Sequence, residues 1–285
     1  MRPEYISDSY LRRFIQSALA EDIGDGDHSS LATIPPNIVK RAKLLVKDDG
    51  ILAGVELAQS IFHQFDPTLK VDVLLNDGAS IKKGDTALTV EGPALSILTT
   101  ERLVLNCMQR MSAIATKTHM LMKFIEGTKA KLLDTRKTTP NFRLLEKWAV
   151  LIGGGHNHRI GLYDMIMLKD NHVDMAGGIR QAIIRTKDYL RARNKNLKIE
   201  IETRSLEEVQ QVIDVGGVDI IMLDNMSVET MKEALAMIGA KYQTEASGGI
   251  TEDTIRSVAE CGIDFISVGA LTHSIQSLDL SLKAY

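Results

Sequence analysis

GGGHNHRIGLYDMIMLKDNH, Gly153 to His172, sets groups able to grip anions or metals on both sides of a short apolar segment. His156, His158 and Arg159 precede that segment; Lys169, Asp170 and His172 follow it. The segment itself, Asp164-Met165-Ile166-Met167-Leu168, is too short for a stable helix and predicts a buried strand approached through glycines. Charged groups that begin where a buried strand stops are what an α/β barrel places at its catalytic rim. The competing explanation is a pair of ordinary polar loops. Recurrence of the pattern separates the two.

It recurs throughout the region beyond Gly127. Lys131-Leu132-Leu133 runs into Asp134-Thr135-Arg136-Lys137-Thr138, and Lys198-Ile199-Glu200-Ile201 into Glu202-Thr203-Arg204. Asp219-Ile220-Ile221-Met222-Leu223 ends in Asp224-Asn225, Tyr242-Gln243-Thr244-Glu245-Ala246 in Ser247-Gly248-Gly249, and Phe265-Ile266-Ser267-Val268 in Gly269-Ala270. Amphipathic helical text separates most of them, as over Leu206 to Val215, Val228 to Ile238 and Thr251 to Ala259. With Met165 to Leu168 these make six strand-then-helix units, which predict a parallel sheet with right-handed crossovers. Polar or glycine-rich tips on every strand predict closure into a barrel with one functional rim. An open doubly wound sheet is the alternative, but it would not gather all the tips at one point.

The tips sort by chemistry. Arg136, Lys137, His158, Arg159 and Lys169 form a cationic surface in a chain whose net charge is −3. Glu202 and Asp224 are carboxylates fit to hold a magnesium ion or ribose hydroxyls. Ser247-Gly248-Gly249 and Ser267-Val268-Gly269 are small enough for backbone N–H groups to approach a phosphate at the following helix start. Barrels often bind phosphate after their last two strands. A polyanionic substrate, a phosphorylated sugar and a metal are therefore expected.

The region before this is built differently. Leu11, Phe14, Ile15, Ala18 and Leu19 predict a helix over Tyr10 to Ala20, and a second helical stripe runs from Val55 to Phe65. Ala42 to Lys47, Val71 to Leu75 and Thr86 to Glu91 read as short strands between Asp-Gly, Lys-Lys-Gly-Asp and Gly-Pro turns. From Thr99 to about Ile125 the period is helical, with Thr100-Glu101 as its expected start and Val104, Met108, Met111 and Ala115 on the core side. Arg102, Asn106, Gln109 and Arg110 share the other face, which periodicity alone marks as solvated. We divide the chain at residues 1–115, a small α+β domain, and 116–285, the barrel domain, with the C-terminal tail able to pack back on the first.

Composition is that of an ordinary globular protein, 44% hydrophobic and 25% charged. The small net charge excludes global attraction to nucleic acid or to acidic membranes, so cationic sites must be local. Cys107 and Cys261 have no metal or redox spacing, and no run of apolar residues is long enough to span a membrane. A soluble protein of the reducing cytoplasm is expected. Other readings are weaker. The acidic turn Glu21 to Asp27 lacks the spacing of a calcium loop. Gly153-Gly154-Gly155 is not a dinucleotide fingerprint, because the helix precedes it. A zinc site of His156, His158 and His172 would sit against Arg159, and a Schiff-base role for Lys137 or Lys169 stays open on the residues alone.

One family matches these motifs closely. Thr100-Glu101-Arg102 with Leu105-Asn106, Asp134-Thr135-Arg136-Lys137-Thr138-Thr139-Pro140, Asn157-His158-Arg159 and Lys169-Asp170-Asn171-His172 carry the first part of the likeness. Glu202, Leu223-Asp224-Asn225, Ser247-Gly248-Gly249 and Val268-Gly269-Ala270-Leu271-Thr272 complete it, over essentially the whole chain. Together they resemble quinolinate phosphoribosyltransferase, also called nicotinate-nucleotide pyrophosphorylase (carboxylating). The resemblance implies a small N-terminal α/β domain, an open α/β barrel of seven or fewer strands, and a homodimer in which each N-terminal domain covers the other subunit's barrel mouth. Arg102 would then reach across the interface, against the solvated-face reading. The implied reaction joins quinolinate to phosphoribosyl pyrophosphate with loss of carbon dioxide and pyrophosphate. Arg102, Arg136, His158, Arg159 and Lys169 would hold quinolinate, and Thr135 is a further substrate-binding residue. Lys137, with magnesium at Glu202 and Asp224, would serve the pyrophosphate, and the Ser247 and Ser267 loops the 5-phosphate. Lys47 stands where the family usually has an arginine, keeping the charge without the fork. The rivals are a phosphoribosyltransferase acting on nicotinate itself and a non-catalytic sugar-phosphate sensor.

Overall fold

In a computed structural model, which describes residues 2–285, the chain forms two compact units. The first takes in residues 2–119, Thr138–Gly154 and Ala270–Tyr285, and the second Met120–Lys137 and Gly155–Gly269.

Helices α1 (Asp8–Ile23) and α2 (His28–Thr33) open the first unit. Both begin where a short polar side chain accepts an orphan N–H: Ser7 from Tyr10, and Asp27 from Ser30. The acidic turn before α2 thus supplies a helix cap. Strands β1 (Val39–Val46) and β2 (Gly50–Ile51), helix α3 (Val55–Phe65), strands β3 (Lys70–Val73), β4 (Ser80–Ile81) and β5 (Thr86–Pro93), and the long helix α4 (Ala94–Phe124) follow. Asp77 starts α3 by accepting from the Val55 N–H at 2.8 Å. Along β1, Ala42, Leu44 and Val46 are buried at every second position, the period of a strand with one face on a core.

Helix α4 starts at Ala94, directly after β5, rather than at Thr100. Ala94-Leu95-Ser96-Ile97-Leu98 contains no helix breaker, and the Thr100 hydroxyl donates to the Ser96 carbonyl at 2.7 Å, a helix-interior arrangement. Its polar face is also not simply solvated. Arg102 and Asn106 are exposed, but Gln109 donates to the Leu280 carbonyl and Arg110 is held by Glu146. Met108 and Met111 are fully buried, as core filling requires.

Beyond α4 come β6 (Lys131–Leu133), α5 (Arg143–Ile152), β7 (Ile166–Leu168), α6 (Asp170–Ala176), α7 (Ile179–Ala192), β8 (Ile199–Thr203), α8 (Leu206–Val215), β9 (Ile220–Asp224), α9 (Val228–Ile238), β10 (Gln243–Ser247), α10 (Ile255–Glu260), β11 (Phe265–Ser267), α11 (Ala270–His273) and β12 (Leu280–Ala284). The last strand returns to the first unit, where it pairs antiparallel with β1 in the sheet β12-β1-β5-β3.

All six strands expected of the barrel form, in a parallel sheet of order β6-β11-β10-β9-β8-β7. First and last strands pair, as they do in a barrel, but the ring does not close. Its seam falls between β6 and β7, where, among the described residues, a single parallel bridge from Leu133 to His156 is the one ladder contact. The glycines and polar residues of 153–159 cannot form the buried β-branched run that a seventh full strand would need. Helices α8 and α9 begin at the capping serines Ser205 and Ser227. Helix α10 starts later than its periodicity indicates, at Ile255 rather than Thr251. Gly248 and Gly249 hold positive φ, and the Thr254 hydroxyl accepts from the Thr251 N–H, making a turn of the first residues.

Candidate active site

Every parallel strand delivers its C-terminal residue to the same end of the sheet, and the charged ones meet there. Lys169, at the end of β7, places Nζ 3.2 Å from Glu202 Oε2 at the end of β8. Lys169 is half exposed and Glu202 buried, so the pair sits at the edge of the interior. Burial raises the Glu202 carboxyl above its usual range; Asp224, on the next strand, and Asp170 push the same way, while Lys169 opposes them. Asp224 is steadied by the Asn225 amide at 2.8 Å.

Asp170 and His172 act locally. They start α6, His172 accepting the Lys169 N–H on Nδ1 at 3.0 Å and Asp170 accepting the Asn171 N–H at 2.6 Å. Lys169 is thereby fixed at a helix start with its side chain directed to Glu202.

The second cationic group comes from the segments after β6 and around residue 158. Asp134, fully buried, accepts from the Asn157 amide at 2.6 Å and from the His158 N–H at 2.9 Å. This carboxylate fastens the Asn157-His158-Arg159 segment to the segment carrying Arg136. The Arg159 guanidinium donates to the Met165 carbonyl at 3.2 Å. Its pKa is pulled below the usual value, first by burial and then by the like charge of Arg136, with Glu200 and Asp164 opposing. Two half-buried arginines that repel one another make a site whose energy falls when an anion enters it.

His158 does not face that site as expected. Its ring is buried in the barrel interior, Nε2 lying 3.0 Å from Glu200 Oε2 and 3.4 Å from Glu245 Oε2. Nδ1 accepts the Arg159 N–H at 2.7 Å. Nε2 thus faces the two carboxylates at ion-pair distance, and the place of His158 among the substrate-binding residues stays a proposal. Burial disfavours charge on this ring, but the two carboxylates outweigh it and raise its pKa to about 10. Burial, then the neighbouring Glu245, raises Glu200 to about 7. Nδ1 accepts the Arg159 N–H in the neutral ring, whose proton is on Nε2 facing the carboxylates; protonation of the ring would put a second proton on Nδ1 and end that bond.

Glu200 and Glu245 belong to no motif in the sequence, and Asp134 stands there only as the first residue of Asp134-Thr135-Arg136-Lys137-Thr138. The available signal was the alternation Ile199-Glu200-Ile201-Glu202 in a strand whose neighbours are apolar. Residues two apart share a face, so Glu200 had to lie beneath Glu202.

The remaining positions fall as follows. Thr135 Oγ accepts the Lys137 N–H at 3.0 Å, in a turn that leaves Lys137 exposed. Ser247 and Gly248 are half-buried and Ser267 and Val268 buried, with Val268 N–H donating to the Leu133 carbonyl. Gly248 has φ +86°, and a Cβ there would run into the Asn225 side chain, so the close approach needs glycine. Gly249 has φ +63° and Gly269 is half-buried. Lys47, at the end of β1, and Arg102, on α4, belong to the first unit. Arg102 is exposed and makes no ion pair among the described residues.

Among the described residues, the one cluster of metal-ligating groups is His158, Glu200 and Glu245. It includes neither His156 nor His172, so the three-histidine zinc site does not form. Glu202 and Asp224 fit a hard cation better. Both are carboxylates at neighbouring strand ends, close enough for one to raise the other's pKa, and Lys169 already sits where positive charge is favoured.

Two family models match the chain: "Quinolinate phosphoribosyl transferase, N-terminal domain" over residues 27–112 and "Quinolinate phosphoribosyl transferase, C-terminal domain" over residues 114–283. The chain is 46% identical over 288 aligned residues to the chloroplastic nicotinate-nucleotide pyrophosphorylase [carboxylating] of Arabidopsis thaliana, spanning 96% of this chain and 82% of that one. It is 38% identical over 272 residues to the probable nicotinate-nucleotide pyrophosphorylase [carboxylating] of Bacillus subtilis, covering 95% and 92%. The crystal structure of NadC from Streptococcus pyogenes superposes with a TM-score of 0.92 at 38% identity, covering 98% and 97% of the two chains. The human nicotinic acid phosphoribosyltransferase shares the fold alone, at 12% identity and a TM-score of 0.63.

Proposed function

The chain belongs to the quinolinate phosphoribosyltransferase family and is a decarboxylating pentosyltransferase of NAD biosynthesis, and we propose that the cationic rim of its second unit is where quinolinate meets phosphoribosyl pyrophosphate. The observation that carries the assignment is the repelling pair Arg136 and Arg159, from segments pinned together by one buried Asp134. A pyridine with two adjacent carboxylates is the anion that such a pair, with Lys169, would neutralise, and planar guanidinium groups would orient it as well as bind it.

The pyridine nitrogen is itself the nucleophile, so no general base is required. The clamp holds that nitrogen toward C1 of the ribose while the backbone loops at Ser247-Gly248-Gly249 and Ser267-Val268-Gly269 hold the 5-phosphate; remote binding energy thus fixes the reacting centre. Lys137, exposed beyond the end of β6, and Lys169 counter the charge on the departing pyrophosphate as C1 gains oxocarbenium character. Glu202 and Asp224 would hold a magnesium ion, which when bound supplies further neutralisation of that leaving group. After transfer, the positive ring nitrogen stabilises the electron pair left on C2 when the adjacent carboxylate leaves as carbon dioxide, and C2 then takes a proton from water to give nicotinate mononucleotide.

The assembly we propose is a homodimer, with the exposed Arg102 contributed to the neighbouring subunit's rim and Lys47 serving the pyrophosphate as a point charge. The compartment we propose is the cytoplasm, which the two free cysteines support. Plant relatives are named chloroplastic or mitochondrial, and no helix of the chain is long and apolar enough to cross a membrane.

The test is carbon dioxide and pyrophosphate release from quinolinate, phosphoribosyl pyrophosphate and magnesium, with nicotinate in parallel. Equal release of both from quinolinate alone is expected; pyrophosphate from nicotinate without carbon dioxide would move the chain to the other activity. For the metal, Asp224→Asn leaves the Lys169–Glu202 pair in place and should raise the magnesium concentration at half-maximal rate roughly tenfold, or ~1.4 kcal/mol. An unchanged magnesium curve would remove Asp224 from the metal site.

A further inference from the structure

We infer that Glu200 and Glu245 are positioning residues for quinolinate binding: from inside the barrel they hold the His158 imidazole, and through it they set the place of Arg159. The inference rests on the clamp assignment above. Both carboxylates are fully buried, the His158 side chain is 6% exposed, and their contacts converge on one atom, Nε2.

Stability alone does not explain such a group. Barrel interiors are ordinarily filled by branched apolar side chains, and a buried ion triad is often no more stabilising than apolar residues of similar volume. Place does explain it. Each member lies within two residues of a rim residue on a different segment: His158 adjoins Arg159, Glu200 lies two below Glu202 on β8, and Glu245 two below Ser247 on β10. The triad therefore ties three rim segments together from beneath.

The link to Arg159 is direct. Its N–H donates to His158 Nδ1 at 2.7 Å, so the orientation of the ring fixes the backbone from which the guanidinium extends. On the other side, His158 N–H is held by Asp134. If the ring were released from Glu200 and Glu245, the segment would keep its Asp134 anchor and lose the second one. Arg159 would still be present but less well placed for a planar, two-point contact, which tolerates displacements of only about half an ångström.

Glu245→Gln keeps the shape and removes the charge that fixes Nε2. Expected is a quinolinate KM about tenfold higher, with kcat and the phosphoribosyl pyrophosphate KM each within about twofold, the pattern of lost uniform binding for one substrate. Glu200→Gln should do the same, and Glu245→Asp should recover part of the loss. A purely structural triad would instead lower Tm and leave the kinetic constants of the folded enzyme unchanged, which overturns the inference. So would stoichiometric zinc or another transition metal in the purified wild type that disappears in Glu245→Gln, because the three groups would then be ligands. Failure of the clamp assignment itself would show differently, as a loss in kcat/KM for quinolinate below about fivefold in Arg159→Ala.

Discussion

Arg159→Ala is expected to lower kcat/KM for quinolinate about a thousandfold, a loss of ~4 kcal/mol. The size follows from where the guanidinium sits. Arg159 is half-buried, already lowered in pKa by burial and by Arg136, and donates to the Met165 carbonyl. An anion bound there makes charge-assisted hydrogen bonds in a poorly hydrated place, and its removal strands a substrate carboxylate in the same surroundings. Arg159→Lys keeps the charge but not the fork, so it should retain part of the activity. Arg136→Ala should cost a similar factor. Because both arginines share one anion, the double variant should lose less than the product of the two single losses. Steady-state kinetics with varied quinolinate, together with direct binding by calorimetry, would measure this. A loss below about fivefold for Arg159→Ala would mean that the guanidinium belongs to the barrel's own structure and not to the substrate.

The barrel was legible because each strand announces its end. Short apolar runs stop at Asp134, Lys169, Glu202, Asp224, Ser247 and Gly269, and the observed strands end within two residues of these positions. Periodicity placed α8 and α9 to the residue for the same reason, since each has a capping serine before it and a glycine after it. The seam between β6 and β7 was not legible from spacing. It depends on a loop making one bridge where a strand could have made several, and only the family resemblance anticipated an open ring.

The site was legible where charge contrasts with its surroundings and illegible where charge is hidden. Arg136, Arg159 and Lys169 stood out against a net charge of −3. His158 has the same residue type whether it points at a substrate or into the core, and its direction is set by Glu200 and Glu245, both more than forty residues away in sequence. In isolation, Ile199-Glu200-Ile201-Glu202 reads as a strand with one wet face. Burial of the whole strand requires that the glutamates find partners, and those partners cannot be named from the strand itself.

Arg110→Ala is expected to destabilise the first unit by about 3–5 kcal/mol, the usual consequence of leaving a buried charge without its counterion. By helical spacing Arg110 belongs to the outer face of α4, yet its guanidinium is drawn inward. Nε and Nη2 both lie 2.8 Å from Glu146 Oε1, and Nη2 also donates to the Thr272 carbonyl at 2.7 Å and to the Thr139 hydroxyl at 3.2 Å. Glu146, on α5, is fully buried, and its other oxygen accepts the Thr139 N–H at 3.2 Å. One arginine therefore joins α4 to α5, to the segment that follows Lys137, and to α11, which follows Gly269. Alanine would leave the Glu146 carboxylate and the Thr272 carbonyl, both buried in the intact protein, without these donors. Thermal unfolding should move down by roughly 10 °C. Arg110→Met combined with Glu146→Leu removes both charges and should regain much of the loss, because the penalty comes from the stranded carboxylate more than from the missing attraction. A double variant no more stable than Arg110→Ala would instead assign the stability to the hydrogen bonds with Thr139 and Thr272, and so to the way α4 holds the two segments that lead away from the rim.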